Sequence, residues 1–187
     1  MRNVVLMMTA SIDGFVVGPH RHARGVPEPH ELEQWKLNRI RHAGTHIMGR
    51  VTYEEMSSFW PTSTADYAAP MNDIPKVVFS KTLTDAPWPE SSIASGDLAD
   101  EIRSLKEQPG GEIIAWGGAG FARSLTRANL IDQYAIIRPP VVYGGGEPIF
   151  ADLPDALHLN LVAATTFAGG TMLHIHEPRG WGADAAP

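Results

Sequence analysis

The sequence has no cysteine and no apolar run long enough to cross a membrane. The first absence excludes disulfides, thiolate metal sites and a cysteine nucleophile. The second excludes a helical membrane anchor, which needs about 20 consecutive apolar residues. The first residues also lack the length and cleavage pattern of a secretory signal peptide. We therefore expect a cytoplasmic protein that does not bind membranes.

Basic residues are also scarce, with 15 Lys and Arg against 21 Asp and Glu and a net charge of −6 at pH 7. Broad nucleic-acid binding needs a basic surplus to displace phosphate counterions, so that function is not expected. Apolar residues make up 43% and charged residues 19%, which is typical of a folded globular protein. The 187 residues suit one domain. We predict that domain over residues 1–178 and a flexible tail over residues 179–187.

The clearest local pattern lies in residues 112–130, which read EIIAWGGAGFARSLTRANL. A short apolar run typical of a buried strand ends at Gly117 and Gly118, and apolar residues then recur at helical intervals. Paired glycines let a ligand approach the main chain where a Cβ would block it. The start of the following helix offers N–H groups and a positive dipole end, which favour phosphate. The alternative is an ordinary tight turn of an α/β protein.

Two more predicted strands, over residues 46–48 and 76–79, are followed by polar groups suited to phosphate. These groups are Gly49, Arg50 and Thr52 after the first strand, and Ser80 and Lys81 after the second. Open α/β sheets bind ligands at the carboxyl ends of their strands. Three such junctions predict a groove for an extended dinucleotide, although the usual GxGxxG fingerprint is absent.

The order of the predicted elements indicates the fold class. A central strand over residues 4–9 is followed by alternating helices and strands, and residues 157–166 and 171–175 form a hairpin around two glycines. This predicts an α/β fold with a mostly parallel central sheet and an antiparallel C-terminal edge hairpin. Residues 18–29 and 59–71 have no periodicity and are predicted as irregular loops.

The histidines do not predict a metal site. His20, His22 and His30 cluster in a predicted loop, and His174 and His176 share one face of the last strand. Neither group provides three ligands at a convincing spacing, so we predict no metal.

Six motifs, in order along nearly the whole chain, resemble the dihydrofolate reductase-like superfamily. They are SIDG (11–14), MGRVTYE (48–54), VVFSK (77–81), GGAGF (117–121), LIDQY (130–134) and GGGEPIF (144–150). The resemblance is closest to the reductase domain of the bifunctional riboflavin-biosynthesis deaminase/reductase and its stand-alone relatives. It implies a three-layer fold, an NADPH-dependent reduction of a small pterin-, pyrimidine- or flavin-like heterocycle, and a homodimer.

The resemblance also implies which residues hold NADPH. Residues at the cofactor phosphates would be Gly49, Arg50 and Thr52, with Ser80 and Lys81 near the 2′-phosphate. Residues at the pyrophosphate would be Gly117 and Gly118 and the N–H groups of Ala119, Gly120 and Phe121. The bond between the two glycines is often cis in this family, and we expect a cis bond here.

For the proton donor, the stretch HELEQW (30–35) resembles the segment where folate reductases place a helix-borne carboxylate followed by an aromatic residue. The resemblance implies Glu31 as proton donor or pterin-type anchor, half-buried with a raised pKa, and Trp35 as a stacking wall. Asp13 is the alternative catalytic group, and Arg138 is a candidate substrate contact. The structural alternatives are a dipole-complementing Glu31, a core Trp35 and a structural turn at Asp13.

Departures from the family pattern leave a second function open. Ile74 stands where folate reductases carry an arginine that clamps the glutamate tail of folate, so folate itself is not expected as the substrate. A non-catalytic nucleotide-binding module with the same fold is the alternative to a reductase. An unrelated α/β protein with incidental glycine turns is a third reading.

Overall fold

A computed structural model describes residues 1–18 and 27–181. The strands of this part are β1 (Val4–Thr9), β2 (Phe15–Val17), β3 (Thr45–Gly49), β4 (Lys76–Phe79), β5 (Ser91–Ala94), β6 (Ile113–Trp116), β7 (Gln133–Arg138), β8 (Glu147–Pro148), β9 (Leu157–Thr166) and β10 (Met172–Trp181). The α-helices are α1 (His30–Arg41), α2 (Arg50–Phe59), α3 (Ala68–Asp73), α4 (Leu98–Glu107) and α5 (Ala119–Arg127).

Eight strands form one sheet in the order β5-β4-β3-β6-β1-β7-β10-β9, and β2 pairs with β8 in a separate ribbon. The ladders from β5 to β7 are parallel, whereas β10 runs antiparallel to both β7 and β9. The predicted fold class is therefore confirmed. Because β4, β3 and β6 are neighbours, the three glycine and hydroxyl junctions lie side by side at one edge of the sheet.

Side chains of β1 point alternately to the two faces of the sheet, and helices cover both faces, which gives three layers. The even-numbered side chains share a core cluster with Ile102 of α4 and Leu125 of α5. The odd-numbered side chains lie in two other clusters, with Ile40 and with Leu32 of α1. A strand buried on both faces is apolar throughout, because it must bury side chains on each side of the sheet.

The prediction of an irregular loop over residues 59–71 is wrong. This stretch contains a 3-10 turn, Trp60–Thr62, and most of α3. The buried ammonium of Lys76 donates to the carbonyl oxygens of Met71, Asn72 and Ile74 at 3.0, 2.8 and 2.8 Å. A cation at a helix carboxyl end binds its unpaired carbonyls, so a residue outside α3 stabilises it.

The ends of the predicted segments also differ. The last strand continues to Trp181, so residues 179–181 belong to the sheet rather than to the predicted flexible tail. Residues 19–26, which form most of the predicted loop over residues 18–29, lie outside the described part of the chain, as do residues 182–187. Within the described ranges, none of the helices has the length and apolar character needed to span a membrane.

Candidate cofactor groove and substrate cavity

A groove of about 740 Å³ lies at the carboxyl ends of β3 and β6. Thr52 of α2 and Gly118 and Ala119 at the start of α5 form one part of its lining. Val17 of β2 and Glu147 of β8 form another part. The groove is therefore bounded by two helix starts and by the β2–β8 ribbon.

Both helix starts offer free donors to this region. The N-cap residues are Gly49 for α2 and Gly118 for α5, and no side chain caps either helix. The first N–H groups of a helix have no intrahelical partner, and together with the helix dipole they favour anions. A Cβ added at Gly118 would lie 3.3 Å from Thr52 Oγ1, and one at Gly117 would lie 2.3 Å from Met8 Sδ. Glycine is thus needed at 117, where the backbone packs directly against the side chain of Met8, and a side chain at 118 would crowd Thr52.

Four of the predicted cofactor residues line the groove: Thr52, Gly117, Gly118 and Ala119. Gly49 stands at the start of α2, where a Cβ would lie 3.3 Å from the Phe121 Cβ. Gly120 is exposed in the first turn of α5, and the Phe121 ring contacts Phe79 at 5.2 Å between centroids. The side chain of Phe121 therefore belongs to the core.

Two of the side chains predicted near the phosphates, those of Arg50 and Ser80, have local partners. Arg50 is exposed and donates to Glu54 Oε1 at 2.8 Å. The hydroxyl of Ser80 accepts from the backbone N–H of Leu83 at 2.9 Å, and Lys81 is exposed. These side chains lie on the neighbouring strand ends β3 and β4, beside the groove rather than in its lining.

The prediction of a cis bond between Gly117 and Gly118 is wrong, since every peptide bond in the described residues is trans. Gly118 has φ −94° and ψ 151°, an extended conformation that leads directly into α5. The turn at this junction is thus made by an ordinary N-cap geometry.

A second, apolar cavity of about 250 Å³ adjoins the groove, and Val16 and Gly117 line both spaces. Its other lining residues come from β1, β6, β7 and α1: Met7, Met8, Thr9, Trp116, Ile137 and Lys36. Its wall is therefore mostly apolar and suits a flat ring.

The wall residue Trp116 is held by a buried histidine. The indole Nε1–H donates to Nδ1 of His46 at 3.1 Å, so the proton of neutral His46 is on Nε2. Burial, and then the charge of Lys76, lower the pKa of His46 from 6.5 to about 4. His46 is thus neutral at pH 7 and keeps Nδ1 available as an acceptor.

Glu31 and Trp35 do not occupy the predicted positions. Leu32 is 1% exposed and faces the core, so its neighbour Glu31 points away and is exposed on the first turn of α1. The half-buried setting expected for a proton donor is absent there. The ring of Trp35 contacts the Arg39 guanidinium at 5.4 Å and lines a different cavity with Gly111, which precedes β6. That cavity is near the amino ends of the strands, away from the groove.

Asp13 organises a turn. Its carboxylate accepts from Ser11 Oγ at 2.6 Å and from the backbone N–H groups of Tyr143 and Gly144 at 3.1 and 2.7 Å. These hydrogen bonds, that from Ser11 above all, lower the pKa of Asp13. A general acid needs a raised pKa, so this environment favours a structural turn at Asp13, and its catalytic role stays a prediction. Arg138 donates to the Ser11 carbonyl at 3.0 Å and stabilises the same turn.

Sequence reasoning missed Lys36, Val16 and Glu147. Lys36 is not among the predicted site residues, yet its side chain is only 20% exposed and lines the apolar cavity. Its spacing of four residues from the core residue Leu32 was the available signal, because such residues share a helix face. The GGGEPIF motif was noted without a role, and its Glu147 lines the groove.

Comparison with known families tests the resemblance found in the sequence. The family model of the RibD C-terminal domain matches residues 2–173. This protein belongs to that family. The chain is similar over most of its length to two Bacillus subtilis (strain 168) proteins, both uncharacterised. YyaP is 24% identical over 96% of each chain, and YwjB is 28% identical over 92% of this chain and 97% of its own.

Solved structures have the same fold. A Shewanella sp. PV-4 protein with a suggested role in riboflavin biosynthesis superposes with a TM-score of 0.77, at 22% identity over 96% of this chain and 100% of its own. A second structure superposes with a TM-score of 0.69, at 13% identity over 95% of this chain and 56% of its own. It is the Thermotoga maritima diaminohydroxyphosphoribosylaminopyrimidine deaminase/5-amino-6-(5-phosphoribosylamino)uracil reductase. Enterococcus faecalis dihydrofolate reductase, complexed with NADP(H), superposes with a TM-score of 0.61, at 14% identity over 95% of this chain and 97% of its own. This chain therefore has a dihydrofolate reductase-like fold.

Proposed function

We propose that this protein is an NADPH-dependent reductase that acts on a small heterocyclic compound. The observation that carries the proposal is that a groove with two uncapped helix starts adjoins an apolar cavity at Gly117. A dinucleotide needs phosphate donors along its length and a separate space beside its reactive ring, and the two spaces supply both.

The donor set fits a dinucleotide. The backbone N–H groups at the starts of α2 and α5 would hold phosphate oxygens, with Thr52 as a hydroxyl donor between them. Arg50 and Lys81 would contact the 2′-phosphate after Arg50 leaves Glu54. Glu147 in the groove lies 3.5 Å from the guanidinium of Arg123, which offsets part of its charge. When bound, NADPH would supply the hydride.

The chain itself would orient the acceptor and exclude water. Trp116, fixed by His46, provides one flat wall of the cavity. Met7 and Met8 provide an adaptable apolar surface, because methionine has three rotatable bonds. A ring held here would lie beside Gly117, where no side chain separates the cavity from the groove.

The test is fluorescence titration of the purified protein with NADPH and with NADH. Arg50→Ala should weaken NADPH binding by about tenfold and NADH binding much less, since it removes a charged partner of the 2′-phosphate. Arg103→Ala is the matched control, because Arg103 is also an exposed arginine paired with a carboxylate on its own helix. Absence of NADPH binding by the wild type would refute the proposal. Equal losses for both cofactors would remove Arg50 from the 2′-phosphate.

A dinucleotide-binding module without turnover is the second candidate. The observation in its favour is that Glu31 is exposed and Asp13 is bound in a turn, so neither acid reaches the cavity. The two candidates differ in NADPH consumption with a panel of dihydropterins, aminopyrimidinones and flavins. Binding without any oxidation across that panel would favour the module.

We also propose a homodimer formed through β9. This ten-residue strand is the edge of the sheet, and Leu161 and Val162 are 60% and 53% exposed. A long exposed edge strand offers unpaired backbone groups to a second copy. Light scattering after size exclusion should give twice the chain mass, and Leu161→Lys should give the monomer mass. A monomeric wild type would contradict this proposal.

A further inference from the structure

The β2–β8 ribbon forms one wall of the groove. The remaining lining belongs to α2 and to the junction between β6 and α5. The position of the ribbon relative to the two helix starts therefore sets the width of the groove. The residues that the ribbon and its flanks place in the lining are Val16, Val17, Gly18, Gly146 and Glu147.

The ribbon is too small to hold this position by its own pairing. It has three residues in β2 and two in β8, and its register is irregular between Phe15 and Val17. A ribbon of two strands is only marginally stable unless other elements support it. On one side, Val16 packs against the core and Ile149 is buried. The side chain of Glu147 is 48% exposed, so burial does little to hold this end of the ribbon.

Arg123 of α5 attaches the ribbon to a helix. Its Nη1 donates to the Pro148 carbonyl oxygen at 3.1 Å, and its Nη2 lies 3.5 Å from Glu147 Oε1. Over residues 1–18 and 27–181, no other helix side chain hydrogen-bonds to β2 or β8. The guanidinium is a planar fork with fixed donor directions, so contacts with two successive residues fix the orientation of β8 as well as its distance.

The helix that holds the ribbon also carries phosphate donors. Arg123 follows Ala119 by four residues, so both project from the same side of α5. Ala119 lines the groove and belongs to the first turn, whose N–H groups have no intrahelical partner. Ala122 and Leu125 are fully buried and fix α5 against the sheet. A ribbon bonded to Arg123 is therefore held at a constant distance from these donors.

We propose that Arg123 is a positioning residue that holds the β2–β8 ribbon against α5 and so keeps the groove at the width of a dinucleotide. This inference rests on the proposed function, because it concerns the fit of the groove to NADPH. Arg123 lies outside the lining of the groove, so it acts through Pro148 and Glu147 rather than by contact with a phosphate. Without this attachment, the ribbon would move away from α5 and a bound dinucleotide would dissociate faster.

Arg123→Lys separates the attachment from the charge. Lysine keeps the positive charge, but its single ammonium does not reproduce the planar fork. The variant should bind NADPH about tenfold more weakly in fluorescence titration, the ratio given by one hydrogen bond from a charged group. In stopped-flow measurements, the change should lie in the dissociation rate. Wild-type affinity in Arg123→Lys would mean that only the charge matters, and would overturn the inference.

Arg127→Gln is the matched control. Arg127 is exposed one turn further along α5, so its replacement removes one positive charge from the same helix. This variant should keep the wild-type affinity for NADPH and the wild-type dissociation rate. A loss equal to that of Arg123→Lys would contradict the proposed attachment.

Hydrogen exchange measured by NMR without any dinucleotide tests the attachment directly. The backbone N–H of Ile149 donates to the Gly14 carbonyl at 2.9 Å and reports on the ribbon. It should exchange about tenfold faster in Arg123→Lys, while amides in β3 keep their wild-type rates. An unchanged rate at Ile149, or a uniform increase across the fold, would overturn the inference. Absence of NADPH binding by the wild type would refute the proposed function, whereas the exchange rates would still decide whether Arg123 holds the ribbon.

Discussion

Gly117 lines both the groove and the apolar cavity. A single methyl group added there tests whether the two spaces form one site. A Cβ at this position would lie 2.3 Å from Sδ and 2.4 Å from Cε of Met8. Ordinary carbon contacts are about 3.5–4.0 Å, so the Met8 side chain must shift by about 1.5 Å. Met8 is 5% exposed and lines the cavity, so any shift disturbs either the core or the cavity.

The expected cost follows from this crowding. Overpacking a core costs about 1–3 kcal/mol, and in a chain of this size each kcal/mol lowers Tm by about 2–4 °C. Gly117→Ala should therefore lower Tm by about 2–12 °C in differential scanning fluorimetry. NADPH affinity should fall, as should the affinity of any dihydropterin, aminopyrimidinone or flavin that binds in the cavity, because Gly117 lines both spaces.

Two further variants separate this effect from a general loss of stability. Met8→Ala removes the crowded atoms, so the double variant with Gly117→Ala should lose less stability than the sum of the single losses, with a coupling of about 1 kcal/mol. Gly169→Ala places a side chain at φ +77° in the distant hairpin turn, with no atom within 4 Å. It should lower Tm without changing either affinity. Strict additivity, or an unchanged Tm and affinity in Gly117→Ala, would refute the reasoning.

Three other variants test the groove and the buried histidine. Gly146→Ala would place Cβ 2.0 Å from the Val17 carbonyl oxygen at φ +124°, so the free energy of unfolding in urea should fall by about 3 kcal/mol. A decrease in the free energy of unfolding smaller than about 1 kcal/mol would contradict this geometry. Glu55→Gln removes a carboxylate from the groove and should tighten NADPH about threefold by fluorescence titration, and weaker binding would contradict that. His46 has a pKa of about 4 when folded and about 6.5 when unfolded, so the unfolded chain takes up the proton first as pH falls. Stability should therefore fall between pH 6.5 and 4 by about 3 kcal/mol, and His46→Gln should remove that slope in urea titrations at each pH.

Much of the fold follows from local pattern. The predicted strand over residues 4–9 matches β1, and the predicted strand over residues 76–79 matches β4. The junction at Gly117 also has the predicted order of strand, turn and helix. These features are local, since apolar period and glycine conformation act within a few residues.

Segments whose structure depends on distant residues were not predictable in this way. The helix α3 has no strong apolar period, and it exists beside the buried ammonium of Lys76, which binds its last carbonyls. Asp13 was a candidate for catalysis because a carboxylate after a strand can act as a catalytic group or stabilise a turn. Its hydrogen bond with Gly144, 131 residues away, favours the structural role.

The sequence by itself determined the fold class and the strand–glycine–helix junction at Gly117 and Gly118, because these depend on the backbone preferences of neighbouring residues. The tertiary structure decided which side chains surround the cavity. Lys36, Trp116 and Ile137 come together only when α1, β6 and β7 take their places around β1. The rotation of α1 about its own axis is set by the burial of Leu32, and this rotation brings Lys36 rather than Glu31 to the cavity.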